Sequence, residues 1–255
     1  MTRSVSNALV STFFTAVSLY LWRIAYASTD LAALALCPLA LSVWLGGLPL
    51  FLDTWRVRFF IALRQDSVLG KILTGRIRAA FLNTGFTLAA ITLLAWQSLN
   101  ASMAEACIML LAFALSGVSF SLGQNLVARH FHQPFARSLA TSLVSWLVAV
   151  PFTFLLAYSF WAWTAMPGAM LDADLPRAVQ IGLEELPPRG GWIAAILAVP
   201  YVYEATKLWV AVKLAAYPVV GVMLSFDAAL FSFALCRTAI VVTQFVETHM
   251  MKARE

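Results

Sequence analysis

Five clear apolar runs constrain this chain more than any motif does. They lie near 7–27, 31–52, 79–98, 104–123 and 138–164. Each is about 20 residues long, the length at which a helix rising 1.5 Å per residue spans a bilayer's hydrocarbon core. Lipid offers no water to unpaired peptide groups, so a spanning segment must satisfy its own backbone as a helix or close into a barrel. Barrel strands are only about 9–11 residues long. The runs therefore predict an all-α polytopic membrane protein. Composition agrees: 62% of the 255 residues are hydrophobic and 11% are charged, against roughly 45–50% and 25% in soluble domains. Disorder, a nucleic-acid-binding domain and a secreted disulfide scaffold are excluded on the same numbers. The net charge of +5 belongs to basic residues flanking the spans, so no nucleic-acid partner is expected.

The remainder, 191–248, is apolar but long and interrupted by charges. Pro200 and Pro218 favour a broken segment there, because proline removes a helical donor and crowds the preceding turn. The expected layout is six transmembrane helices plus one re-entrant or interfacial segment over 192–213. The alternative is seven transmembrane helices, with 192–213 and 218–238 both crossing. The whole chain, 1–255, reads as a single transmembrane domain. Lys and Arg mark the cytoplasmic side. They concentrate in 53–78 and in 124–137, whereas 165–190 is an acidic loop with Asp172, Asp174, Glu184 and Glu185. This places the N-terminus in the cytoplasm and 165–190 outside, in an integral membrane protein of a bacterial inner membrane. Arg3 and the apolar stretch after it resemble a signal peptide, but Trp22 and Arg23 sit where small neutral residues belong. An uncleaved first span is expected.

The 53–78 connection carries Arg56, Arg58, Arg64, Lys71, Arg76 and Arg78. Trp55, Phe59 and Leu63, then Leu69, Leu73 and Ile77, recur between them at helical spacing. Such a segment lies in the headgroup layer on anionic lipid, or docks a soluble partner. Membrane lipids, anionic ones included, and further protein subunits are the expected partners, in an oligomer. Cys37, Cys107 and Cys236 are far apart, each in an apolar stretch, and read as buried small side chains. His130 and His132 lack the further ligands that zinc sites take. No metal, no cofactor and no catalytic residue is expected, since GxSxG, HExxH and P-loop motifs are all missing from the sequence.

Charges at bilayer depth cost at least ~2.5–3.5 kcal/mol on insertion scales, so they mark function or specific packing. Glu204 and Lys207 lie three apart on one helical face, where they can neutralise each other. Asp227 stands alone within 219–235, with Lys213 and Lys207 as candidate partners. These four residues either lock the last segments together or line a polar path. In the fourth span, Gly117 with Ser121 and Ser119 with Gly123 are small residues four apart. That spacing lets helix backbones approach closely, within the subunit or against a partner.

The layout resembles the membrane subunits of ABC-2-type transporters. Val68-Leu69-Gly70-Lys71-Ile72-Leu73 is similar to that family's usual approach to the third span. Pro200 with Glu204 and Lys207 is similar to its proline-then-charged pattern before the last span. The resemblance implies six spans with both termini inside and a coupling helix between spans two and three. It further implies re-entrant helices on the outer side between spans five and six, and energy supplied by a cytoplasmic ATPase. The expected function is a permease-type subunit of a multi-component transport complex. The alternative is a structural or assembly subunit of a larger inner-membrane complex, moving no substrate itself. A polar cavity lined by Glu204, Lys207 and Asp227 favours the first, and dry ion pairs favour the second.

Overall fold

Apolar periodicity becomes a bundle of long helices in the computed structural model of the chain. The structure describes residues 2–59, 75–132, 135–163, 170, 172–187, 191–214 and 219–250, with side chains left out over 2–3, 58–59, 159–163 and 219–225. The helices are α1 (Thr2–Tyr26), α2 (Cys37–Phe59), α3 (Arg76–Asn100), α4 (Met103–Val127), α5 (Phe135–Trp163), α6 (Leu175–Glu184), α7 (Trp192–Lys213) and α8 (Val219–Phe245). A 3-10 helix, Asp30–Leu36, leads into α2, and a π-helical turn, Val246–Met250, continues α8. No strand occurs among the described residues. All but α6 are long and apolar enough to cross a membrane, as expected of an all-α polytopic membrane protein. Large apolar side chains such as Phe13, Phe81, Leu147 and Phe154 are exposed on the outside of the bundle, a surface suited to lipid rather than water.

The last helix is the centre. In α8, 61% of the apolar window is buried, against 28–39% in the other long helices. It packs on α1, α2, α4 and α5. Its stretch from Ala239 to Gln244 is buried on every face, as in a helix surrounded by neighbours. Leu39 and Val43 of α2, Phe113 and Phe120 of α4, and Val144 and Phe152 of α5 close around Ile240, Val241 and Val242. A second apolar cluster, Trp22, Tyr26, Leu36, Ala95, Ile193 and Leu197, sits where α1 ends and α2 begins. It seats the first half of α7.

Two ends of the bundle can be told apart by contacts. At one, Arg137 donates to Asp53 at 2.8 Å, and the Arg78 guanidinium lies 4.0 Å over the Trp55 ring. Ser11 in the first half of α1 meets Thr243 near the end of α8 at 3.0 Å, so these two helix segments share this side. Asn100 and Asp30 mark the opposite end. Helix α7 stays there along its length. Gly191 abuts Asp30, Tyr201 donates to Asn100 Oδ1 at 2.5 Å, and Trp209 donates to the Ala173 carbonyl at 3.0 Å. Lys207 reaches Asp227 at 2.8 Å, about sixteen residues and so roughly 24 Å before Thr243 along α8. A crossing α7 would have carried Lys207 and Trp209 toward the Arg137 end. Among the described residues, six of the long helices traverse the bundle, and α7 is held against one end of it.

Three details differ from the sequence reading. Pro200 does not break the segment: 192–213 is one helix with Pro200 inside it. Pro49 and Pro151 likewise sit within α2 and α5. Long apolar helices tolerate the lost donor because neighbouring groups re-satisfy the freed carbonyl. The interruption falls after Lys213 instead, and Pro218 lies outside the described residues. The acidic 165–190 loop holds a helix of its own, α6, capped by the Asp174 side chain, which accepts from Arg177 N. Of the cysteines, only Cys236 is buried; Cys37 and Cys107 are exposed, which costs little on a surface that faces lipid.

Candidate functional site

Helix α6 folds back along α7, and this hairpin brings the intramembrane charges into position. Gly182 of α6 lies so close to Ala205 and the Tyr201 carbonyl that a Cβ there would collide with α7. The close approach fixes the rotation of α7 and turns Tyr203, Glu204 and Lys207 toward α8. Lys207 Nζ then donates to Glu204 Oε2 at 2.6 Å and to Asp227 Oδ2 at 2.8 Å. Tyr203 donates its hydroxyl to Asp227 Oδ1 at 2.8 Å. The i,i+3 pairing of Glu204 with Lys207 is the one expected from their spacing. Of the two lysines expected near Asp227, Lys207 makes this ion pair, while Lys213, exposed at the last residue of α7, is not on the cleft wall described next.

The charged group is not sealed. The side chains of Lys207, Glu204 and Asp227 are 16%, 28% and 29% exposed, and all three line a cleft of about 830 Å³. The cleft is bounded by α3, the first turn of α4, α5, α7 and α8. Its walls are chiefly apolar, with Leu88, Leu93, Trp96 and Phe231 among them, and its polar members include Gln97 and Asn100 of α3, Glu204 and Lys207 of α7 and Asp227 of α8. A concave, largely apolar site of several hundred cubic ångströms with a few placed polar groups is the usual form of a small-molecule site. Glu105 also lines it. Its carboxylate accepts from Ser102 N at 2.8 Å and its own N–H donates to Ser102 Oγ, a reciprocal cap that starts α4.

The remaining sequence candidates fall elsewhere. Gly117 faces α1 and α8: a Cβ there would sit 2.7 Å from Thr243 Oγ1 and 3.0 Å from the Ala8 Cβ. Ser121 is buried and donates to Glu247, and Gly123 faces Val144 of α5. The small-residue face therefore packs within the subunit. Arg56 and Arg76 are exposed at the Arg137 end, and Arg78 stacks on Trp55. The side chains of Arg58, Arg64 and Lys71 lie outside the described residues. Residues 53–59 continue α2 and 76–78 begin α3. His130 and His132 are exposed, and no cluster of three or more potential metal ligands occurs among the described residues.

Sequence reasoning missed Tyr203, Tyr201 with Asn100, and the Asp53–Arg137 pair. Tyrosine in an apolar helix gives no signal of its own. Tyr203 could have been suspected only from lying one and four residues before Glu204 and Lys207. Arg137 and Asp53 sit at opposite termini of different helices, so only the fold pairs them. No protein-family model, curated protein or solved structure matches the chain.

Proposed function

We propose that the chain is a permease-type subunit of a multi-component transport complex. The observation that carries this reading is the opening of the Glu204–Lys207–Asp227 group onto the cleft rather than its closure into dry protein. An ion-paired group retained only for packing gains nothing from a large adjoining cavity, and it is often replaceable by apolar side chains without loss. A chiefly apolar cleft with a few charged residues among its walls is suited to holding a solute partway through the membrane. The arrangement of six crossing helices with a helical hairpin at one end supports the resemblance to ABC-2-type membrane subunits at the level of layout.

In this reading the Arg137 end, where Arg56 and Arg76 are exposed, faces the cytoplasm of a bacterial cell, as Lys and Arg placement implies. The cleft and the α6–α7 hairpin face outside. The chain has no P-loop, so energy comes from a cytoplasmic ATPase docked on 53–78. Purification in mild detergent tests this. A nucleotide-hydrolysing subunit is expected to accompany the chain, and to be lost when Arg56, Arg58 and Arg64 are all replaced by Gln. Retrieval with membrane subunits alone, without any ATPase, would favour an assembly role and overturn the proposal.

A further inference from the structure

We infer that the cleft takes a lipophilic organic cation, an amine or phosphonium with a bulky apolar body. This rests on the permease reading and names the substrate class of the same site. Charge is the first ground. Glu105, Glu204 and Asp227 line the cleft, and among the described residues Lys207 is the sole Lys or Arg lining it. Lys207 is engaged by two of those carboxylates at 2.6 and 2.8 Å, so an entering anion would meet a neutralised ammonium and an excess of negative charge. Arg23, near the same end, donates to the Ala101 carbonyl at 3.1 Å and is not on the cleft wall. A neutral solute would displace water from the carboxylates without replacing its charge stabilisation. A monovalent cation supplies it.

The walls are the second ground. Trp96, Tyr203 and Phe231 line the cleft beside Leu88 and Leu93, and aromatic faces attract cations through their quadrupoles, more so when desolvated. The Lys207 ammonium already lies 5.9 Å from the Tyr203 ring centroid. Volume is the third. About 830 Å³ is within the range of pockets that enclose drug-sized ligands, and far larger than an inorganic cation needs. The carboxylates fix where the charge sits, and the α3 and α8 walls hold the apolar body.

The test uses tetraphenylphosphonium and tetraphenylborate, ions of the same shape and opposite charge. Saturable binding of each to the full chain is measured in phosphatidylcholine nanodiscs, with the signal of empty nanodiscs subtracted. The phosphonium is expected to bind at least tenfold more tightly than the borate. Glu204→Gln combined with Asp227→Asn should weaken phosphonium binding at least tenfold and bring the two ions together. In case that pair disturbs folding, Ala89→Trp is measured beside it: Ala89 is an exposed small residue on the cleft wall, so the indole narrows the cleft and leaves the charges in place. It should weaken saturable phosphonium binding at least tenfold without lowering the unfolding midpoint. Absence of saturable phosphonium binding, or borate binding as tight, would overturn the cation inference, and binding unchanged by Ala89→Trp would overturn its placement in the cleft. None of these outcomes alters the ATPase co-purification, so failure of the permease reading is detected separately.

Discussion

Lys207 Nζ lies 2.8 Å from Asp227 Oδ2 and joins α7 to the central helix α8. The same ammonium holds Glu204 one turn away on α7. One cation therefore serves two carboxylates, and the three residues are unequal in what their loss leaves behind. Removing Lys207 strands two carboxylates in a partly buried site. Removing the Asp227 charge leaves Lys207 still paired with Glu204.

The expected order of effects follows from that inequality. Lys207→Met should lower stability by about 2–3 kcal/mol, the scale of leaving a partly buried charge without its partner. Asp227→Asn should cost about 1 kcal/mol, since the Tyr203 hydroxyl retains an oxygen to bond. Unfolding midpoints in a common detergent check this. A larger loss for Asp227→Asn than for Lys207→Met would contradict the geometry.

Gly117 should be intolerant of any side chain, because Thr243 and Ala8 occupy the space a Cβ needs. Gly117→Val should destabilise by about 1–3 kcal/mol through overpacking of α1, α4 and α8. Gly85, on α3, has nothing within 4 Å of its would-be Cβ. Gly85→Ala should be neutral or stabilise by up to about 1 kcal/mol through helix propensity. Thermal unfolding of the two variants side by side separates packing from propensity, and equal behaviour would contradict the tight α1–α4–α8 contact.

Sidedness has its own measurement. With Cys37, Cys107 and Cys236 replaced, single cysteines at Ser67 and Ala173 should react with an impermeant thiol reagent from opposite sides of the membrane. Ser67 should label from the cytoplasm and Ala173 from outside. Labelling of both from one side would contradict the alternation of helices through the bundle.

The crossing helices were legible because lipid imposes one requirement on every spanning segment, and runs such as 104–123 meet it without ambiguity. The Glu204–Lys207 pair was legible because helical spacing alone brings i and i+3 together. Sequence favoured a non-crossing course for 192–213 but could not supply the contacts that set it, since the segment is long and apolar enough for a true span. Its course depends on Gly182 fitting against Ala205 and on Tyr201 finding Asn100, contacts between residues far apart in the chain. Helix α6 did carry a signal: Asp174 followed by Pro176 is a capped start with proline in the first turn. The acidic residues around it masked that pattern as a loop. The cleft itself is a gap between helices, and no single segment encodes it.

Transport through the cleft is the central claim, and blocking the cleft is its most direct test. Val199 lies exposed on the cleft wall, so Val199→Cys in a cysteine-free chain places a thiol there without disturbing the charged group. The complex purified with its ATPase is reconstituted into liposomes and assayed for ATP-dependent movement of a panel of labelled small solutes. Movement of at least one solute is expected, with at least a tenfold loss after the thiol is modified by a bulky maleimide and with the ATPase subunit still bound. ATP-dependent movement unchanged by the modification, or no movement of any solute by the intact complex, would contradict the account.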